Sequence, residues 1–196
     1  ADIPGIEVYT GRLNEQDMER IIEEKGITGI IDASHPYAAV VTQTAIKAGT
    51  AKKIPYIRFE RSEVPLPEYD KLHHTVTEAD AAKLAATLGN RIFLTTGSKT
   101  LPVFAKEPLL ADKLVWTRVL PTSQVIKECE ELGYSPKYII GMQGPFSYES
   151  NLVMFRDTAS NVVIMKNSGL VGGSDTKLQA AMDLNVHIIL IDRPPL

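Results

Sequence analysis

Three groupings in this chain carry side chains able to do chemistry. The first is His35 with Tyr37, in the run Asp32-Ala33-Ser34-His35-Pro36-Tyr37. An imidazole there can act as a general acid, hold a carboxylate or cap the next helix, and Tyr37 starts an apolar stripe, so packing competes with a polar role for its hydroxyl. The second is Thr95-Thr96-Gly97-Ser98-Lys99. A glycine after a strand permits a tight turn, and the next helix offers free N–H groups and a positive dipole end, so this stretch reads as a phosphate cradle or as a plain turn and cap. Gly172-Gly173-Ser174 repeats that signal more weakly, and residues 167–173 are glycine-rich enough to form a mobile loop over a cleft. The third grouping is cationic: Arg58, Arg61, Arg118 and Lys166. Arginine forks suit bidentate capture of carboxylates. Arg58-Phe59-Glu60-Arg61 reads equally well as a solvated strand end, whereas Arg118 closes a buried apolar strand and is less easily dismissed.

Other chemistries find no support. The chain has no G-x-G-x-x-G fingerprint, no P-loop and no G-x-S-x-G elbow. His73 and His74 are adjacent and point to opposite faces, with no further His or Cys at ligand spacing, so no metal site is expected.

These residues must be positioned by strands and helices. Gly29 to Ala33 is a short apolar run suited to a buried parallel strand, and Pro36 falls in the first turn of a helix capped by Ser34 or His35 and closed by Gly49. Upstream, Ile6 to Tyr9 reads as a strand, and Asn14 caps a helix with Asp17 three residues on. Downstream, strands are expected at Pro55–Phe59 and Leu72–Val76, and Thr77 caps a helix ending at Gly89. From Arg91 onward, strands start near Arg91, Leu114, Lys137, Val162 and Val186, at intervals of 23 to 25 residues. Helices fill the gaps at 100–110, 122–132, 147–157 and 174–184. Alternating strands and helices predict an α/β fold of two Rossmann-like halves with parallel sheets, residues 1–90 and 91–196, the second built of five β-α units, with a cleft between the halves. In such a sheet the carboxyl ends of the strands share one rim, where every grouping above falls. Trp116 and Arg118 lie on one face by alternation.

Composition excludes several partners. A formal net charge of −3 and a pI near 5.8 argue against nucleic-acid binding. No apolar run approaches the roughly 18 residues of a membrane span, and no signal peptide opens the sequence. The single cysteine, Cys129, sits at helical spacing with Val125 and Leu132 as a core thiol and suits a reducing, cytoplasmic compartment. The oligomeric state is left open.

The run Ile31-Asp32-Ala33-Ser34-His35-Pro36-Tyr37-Ala38 resembles the signature of the precorrin-6A reductases of corrin (vitamin B12) biosynthesis, with Ser34 where that family usually has threonine. Further stretches match in order: Tyr56 to Arg61, Leu94 to Lys99, Trp116 to Pro121, Met142 to Phe146, and Lys166 to Gly169 followed by Gly172-Gly173. The resemblance implies hydride transfer from NADPH or NADH to a conjugated bond of precorrin-6A or its cobalt form. It implies His35 and Tyr37 as catalytic residues, and Thr95, Thr96, Gly97, Ser98, Gln143, Gly144, Lys166, Ser168 and Gly169 around the cofactor. Arg58, Arg61 and Arg118 are then left to the carboxylate fringe of an anionic tetrapyrrole. It also implies a further strand, glycine loop and helix ahead of Ile6, so the first half is expected to be N-terminally incomplete and to hold cofactor poorly by itself. Two other readings compete. A short-chain dehydrogenase needs a Tyr-x-x-x-Lys pair that Tyr134 does not supply, and a non-catalytic nucleotide-sensing module leaves the rim cations unexplained.

Overall fold

The computed structural model describes residues 4–62 and 64–194. The chain forms two units, Ala1–Glu60 and Arg61–Pro195. The first contains α1 (Glu15–Lys25), β1 (Ile30–Asp32), α2 (Ala39–Lys52) and β2 (Tyr56–Arg58). The second contains β3 (Leu72–Thr75), α3 (Glu78–Leu88), β4 (Arg91–Leu94), α4 (Leu101–Ala105), β5 (Leu114–Val119), α5 (Ser123–Glu131), β6 (Ile139–Gly141), α6 (Tyr148–Asp157), β7 (Val162–Lys166), α7 (Ser174–Asp183) and β8 (His187–Ile191).

In the first unit β1 and β2 pair in parallel, with Asp32 opposite Arg58 at their carboxyl ends. Asn14 and Asp17 form the expected capping box of α1, and Gly26 closes that helix with left-handed backbone. Three expectations fail here. Residues 6–9 form no strand, and Ile6, Val8 and Tyr9 are exposed, because no neighbouring strand among the described residues pairs with them. The helix after Pro36 begins only at Ala39: the Asp32 carboxylate accepts the Ser34 N–H at 2.9 Å and the His35 carbonyl accepts the Ala38 N–H at 2.8 Å, so residues 33–38 are spent on turns. The buried stripe of α2 is therefore Thr42, Ala45, Ala48 and Gly49. Gly49 does not end the helix but lets it lie close to the strands, since a Cβ there would touch Ile30 and the Ile54 carbonyl at 3.5 Å.

The second unit is a six-stranded parallel sheet in the order β3-β8-β7-β4-β5-β6. Residues 61–90 belong to it, because β3 pairs with β8 along its whole length, so the break expected at residues 89–90 falls at 60–61 instead. The central strands are buried on both faces: Ile92, Phe93, Leu94 and Val162 to Met165 are fully inaccessible. The chain moves outward from β4 to β6 and then returns through α6 to β7, on the opposite side of β4. Right-handed crossovers place the outward and returning helices on opposite faces, so β4 and β7 flank the point where the winding reverses. Phe155 of α6 and Leu178, Ala180 and Ala181 of α7 pack on one face against Phe93, Val163, Met165, Ile188 and Leu190. The helix expected at 100–110 is broken: α4 has five residues, and Pro108–Leu110 is a separate 3-10 turn capped by Glu107. No helix among the described residues is long and apolar enough to cross a membrane.

Candidate functional site

Four loops leave the carboxyl ends of the adjacent strands β7, β4, β5 and β6 and make one rim of the second unit. The loops after β4 and β7 meet at the reversal point. Thr95 donates both its N–H (3.0 Å) and its hydroxyl (2.9 Å) to the Ile164 carbonyl. Thr96 and Thr100 share a 2.7 Å hydroxyl contact that shapes the turn around Gly97. Gly97 has φ +82°, and a Cβ built on it would meet nothing within 4 Å, so its backbone is open to a ligand. The chain then runs through a 3-10 turn, Ser98–Thr100, into the short α4, so the helix-dipole part of the expected cradle is weak.

The loop after β7 is pinned rather than mobile. Asn167, Ser168 and Gly169 are buried, and the Asn167 side chain exchanges two hydrogen bonds with the Val64 backbone. Arg193 donates to the Asn167, Arg61 and Ser62 carbonyls, which ties the chain ends of this unit to the loop. Gly169, at φ +81°, lies so close to the Ser62 carbonyl that a Cβ would come within 2.7 Å. Its glycine is required for packing. Gln143 and Gly144 are exposed on the loop after β6, where Gly144 lies against the Phe146 ring.

The cations differ sharply in their surroundings. Arg58, in the first unit, donates to Asp32 at 2.6 Å and to the Thr42 hydroxyl at 2.7 Å. Asp32 also accepts from Ser34, Thr42 and Tyr56. Burial pushes the Asp32 carboxyl up, but these donors outweigh it and hold it well below the usual carboxylate range. Burial likewise works against the Arg58 charge, and Asp32 more than restores it. Arg58 is thus neutralised within its own unit, although its Nε finds no partner among the described residues. Lys166 is paired with Glu78 of α3 at 2.8 Å. Arg61 lends its carbonyl to Arg193.

Arg118 is different. It is 6% exposed, and among the described residues no carboxylate pairs with it. One Nη donates to the Asn151 amide oxygen at 2.8 Å, and the guanidinium lies 3.7 Å from the Phe146 ring centroid. Burial pushes its pKa down to about 10. Asn151, fully inaccessible, anchors the arrangement by donating to the Ser147 carbonyl of the α6 cap and to Thr176 of α7.

In the first unit, His35 is exposed and its Nδ1 accepts the Tyr37 N–H at 3.3 Å, so a neutral ring carries its proton on Nε2. The two rings stand 5.7 Å apart. An imidazole held this way can donate a proton from Nε2.

Sequence reasoning missed Asn151, Lys177 and Arg193. The first two carried a signal, since each is a polar residue on the apolar stripe of its helix. The concavity lined by Phe104, Leu110, Val115, Tyr134 and Tyr138 lies toward the amino ends of β5 and β6, away from the rim, and none of the residues singled out in the sequence for chemistry lines it.

Known proteins resemble the chain along its whole length. The family model described as precorrin-6x reductase CbiJ/CobK matches residues 1–196. A cobalt-precorrin-6A reductase of Priestia megaterium is 40% identical over 190 residues, covering 96% of this chain and 74% of that protein. One from Salmonella typhimurium is 37% identical over 194 residues, covering 98% and 73%. A solved structure of a CobK precorrin-6A reductase superimposes with a TM-score of 0.77 at 24% identity, over 93% of this chain and 71% of that one.

Proposed function

This chain belongs to the precorrin-6x reductase family CbiJ/CobK, and we propose that it reduces cobalt-precorrin-6A to its dihydro product with a nicotinamide cofactor in cobalamin biosynthesis. The cobalt form is favoured because the Priestia and Salmonella relatives are named for it. Reduced nicotinamide supplies the hydride; the chain's residues bind, orient and donate a proton.

The observation that carries the reading is the rim of the second unit, where open backbone at Gly97 stands at the reversal point of a doubly wound sheet and the buried Arg118 guanidinium has no carboxylate partner among the described residues. Those features fit a phosphate-bearing cofactor, with Thr95, Thr96, Gly97 and Ser98 on one side and Gln143 and Gly144 on another. Ser168 and Gly169 act by packing the β7 loop, and Lys166, paired with Glu78, sets the local charge. His35, with Tyr37 packed beside it, is the proton donor. Both NADPH and NADH fit this reading, and the test separates them.

The test is turnover by the purified full-length protein. Cobalt-precorrin-6A and precorrin-6A are each incubated with NADPH and with NADH, following loss of reduced nicotinamide absorbance and a gain of two hydrogens in the macrocycle by mass. Faster turnover of the metal-free substrate would overturn the cobalt assignment. Nucleotide binding without turnover of either macrocycle would favour the sensing module instead.

A further inference from the structure

β3 is an edge strand of the six-stranded sheet, and β8 is its neighbour. Three side chains, at every second residue, reinforce that pairing. The Tyr69 hydroxyl donates to the Val186 carbonyl at 2.7 Å, and the Lys71 ammonium donates to the Asn185 carbonyl at 2.8 Å. His73 then meets His187, with Nε2 of the first 3.1 Å from Nδ1 of the second. The ring centroids stand 5.3 Å apart, which exceeds the nitrogen separation by about two ring radii, so the nitrogens face one another nearly head-on. That is the geometry of an N–H···N hydrogen bond. His74, on the other face of β3, has an acid of its own in Asp192 at 2.9 Å, whereas the facing pair has none among the described residues.

Such a bond holds one proton between two nitrogens. It persists when both rings are neutral, one supplying the N–H and the other the lone pair, and when one ring is charged. With both rings charged, both facing nitrogens carry hydrogen, the bond is gone and two like charges oppose each other. The surroundings do not offset that repulsion. Burial, then His73, then Lys71 hold the His187 pKa below the usual histidine value. α3, which packs against β3, β7 and β8, carries Glu78, Asp80 and Lys83. Glu78 is bound to Lys166, Asp80 to the Thr77 cap, and Lys83 is exposed. Asp183 of α7 is held by Tyr148 and Gln179, and the exposed Asp70 acts on Tyr69. From the β7 side the Asn161 carbonyl accepts the His187 backbone N–H.

The chain just ahead of β3 pins the loop after β7. Val64 exchanges two hydrogen bonds with the Asn167 side chain, and Gly169 lies against the Ser62 carbonyl. We propose that the His73–His187 pair is a proton-released latch, which holds β3 on β8 while it shares one proton and loosens β3, together with the β7 loop, when a second proton binds. The latch belongs to the ligand-free fold and goes beyond the reductase reading. Because His187 titrates lower in the folded chain, the unfolded chain binds more protons below about pH 6.5. The stabilisation is therefore complete above that value and is lost as the pH falls through the folded value.

The experiment follows amide hydrogen exchange of the full-length wild type, His73→Phe and His187→Phe at about pH 7.5 and about pH 5.5, read as protection factors. In wild type, protection at Leu72–Thr75 and at residues 166–169 should fall by about tenfold at the lower pH, with residues 92–94 of β4 unchanged. In either variant only one ring can charge, so the difference between the two pH values should shrink to about twofold or less. Imidazole NMR titration of wild type, which needs no variant, should show one ring of the pair taking its proton below the ordinary histidine value. Equal wild-type protection at both pH values overturns the proposal. So does a full-sized fall in a variant shown folded by circular dichroism, or a fall confined to Leu72–Thr75. Two rings that titrate independently at the ordinary value overturn it as well. None of these readouts involves ligand or turnover, so their failure leaves the reductase reading standing.

Discussion

Replacing Lys177 with methionine should make the ligand-free protein more stable. The substitution keeps the length and packing of the stem and removes only the charged head. Burial and Arg118 lower the Lys177 pKa from 10.5 to about 8, which at 1.36 kcal/mol per unit corresponds to about 3 kcal/mol of cost for carrying the proton in the folded state. The sign comes from linkage. Between about pH 8 and 10.5 the unfolded chain binds more protons than the folded one, so stability rises with pH across that window, and below it the penalty is carried in full. At neutral pH, Lys177→Met should therefore gain about 1–3 kcal/mol, or roughly 3–10 °C in melting temperature for a chain of this size. Urea melts of both proteins near neutrality and again near pH 10.5 provide the assay, read on the transition of the second unit. The gain should shrink toward zero at the higher pH. A destabilised variant at neutral pH would mean that the ammonium group is satisfied within the protein. A gain that persists undiminished at high pH would mean that it comes from packing and not from charge.

Other perturbations act on single contacts. Asp32→Asn leaves Arg58 buried without its counter-ion and should cost the first unit about 3–5 kcal/mol in urea unfolding; because the Asp32 carboxyl is depressed, its contribution is full above the unfolded carboxylate range near pH 3.9 and is lost on acidification below it, which a pH series of melts would display. Gly169→Ala forces a Cβ to within 2.7 Å of the Ser62 carbonyl at φ +81° and should destabilise the second unit by about 2–4 kcal/mol, measured by thermal unfolding. Gly97→Val strains a φ of +82° but meets no atom, so its stability cost should stay near 1–3 kcal/mol while nicotinamide nucleotide affinity falls by about tenfold or more in calorimetric titration; unchanged affinity would remove Gly97 from the cofactor site.

The sequence was most legible where structure is local. Thr77, Thr122 and Ser147 cap their helices as their residue types suggest, and the strands from Arg91 onward begin within two residues of their expected places. What was illegible depends on distant partners. Nothing local to Leu72 says that it pairs with Ile188, and that pairing alone moves the boundary between units to residues 60–61. The late start of α2 has the same origin. A proline-led first turn is locally favourable, but the Asp32 carboxylate, held by Arg58 and Tyr56 from the next strand, captures the Ser34 N–H and bends the chain first. The rim of the second unit was readable because parallel strands deliver their carboxyl ends to one edge whatever their order.

Which rim cation is available for a ligand was not readable, and the reason is electrostatic. Arg58 and Arg118 both lie at strand ends, and both are buried or nearly so. Their difference lies in one carboxylate. Arg58 faces Asp32 across a strand pair and forms a hydrogen-bonded ion pair whose disruption would cost more than most ligands return. Arg118 instead has an amide, a thioether sulfur and an aromatic face, partners that fix its position without cancelling its charge. Lys177, also buried, adds a second charge of the same sign near enough to act on it. A protein selected for stability alone would place an acid or an apolar residue in that spot. Keeping both cations leaves a positive charge that no carboxylate among the described residues pairs with, which is the charge the proposed function matches to an anionic ligand. The instability predicted for Lys177 in the ligand-free protein measures that unpaired charge directly.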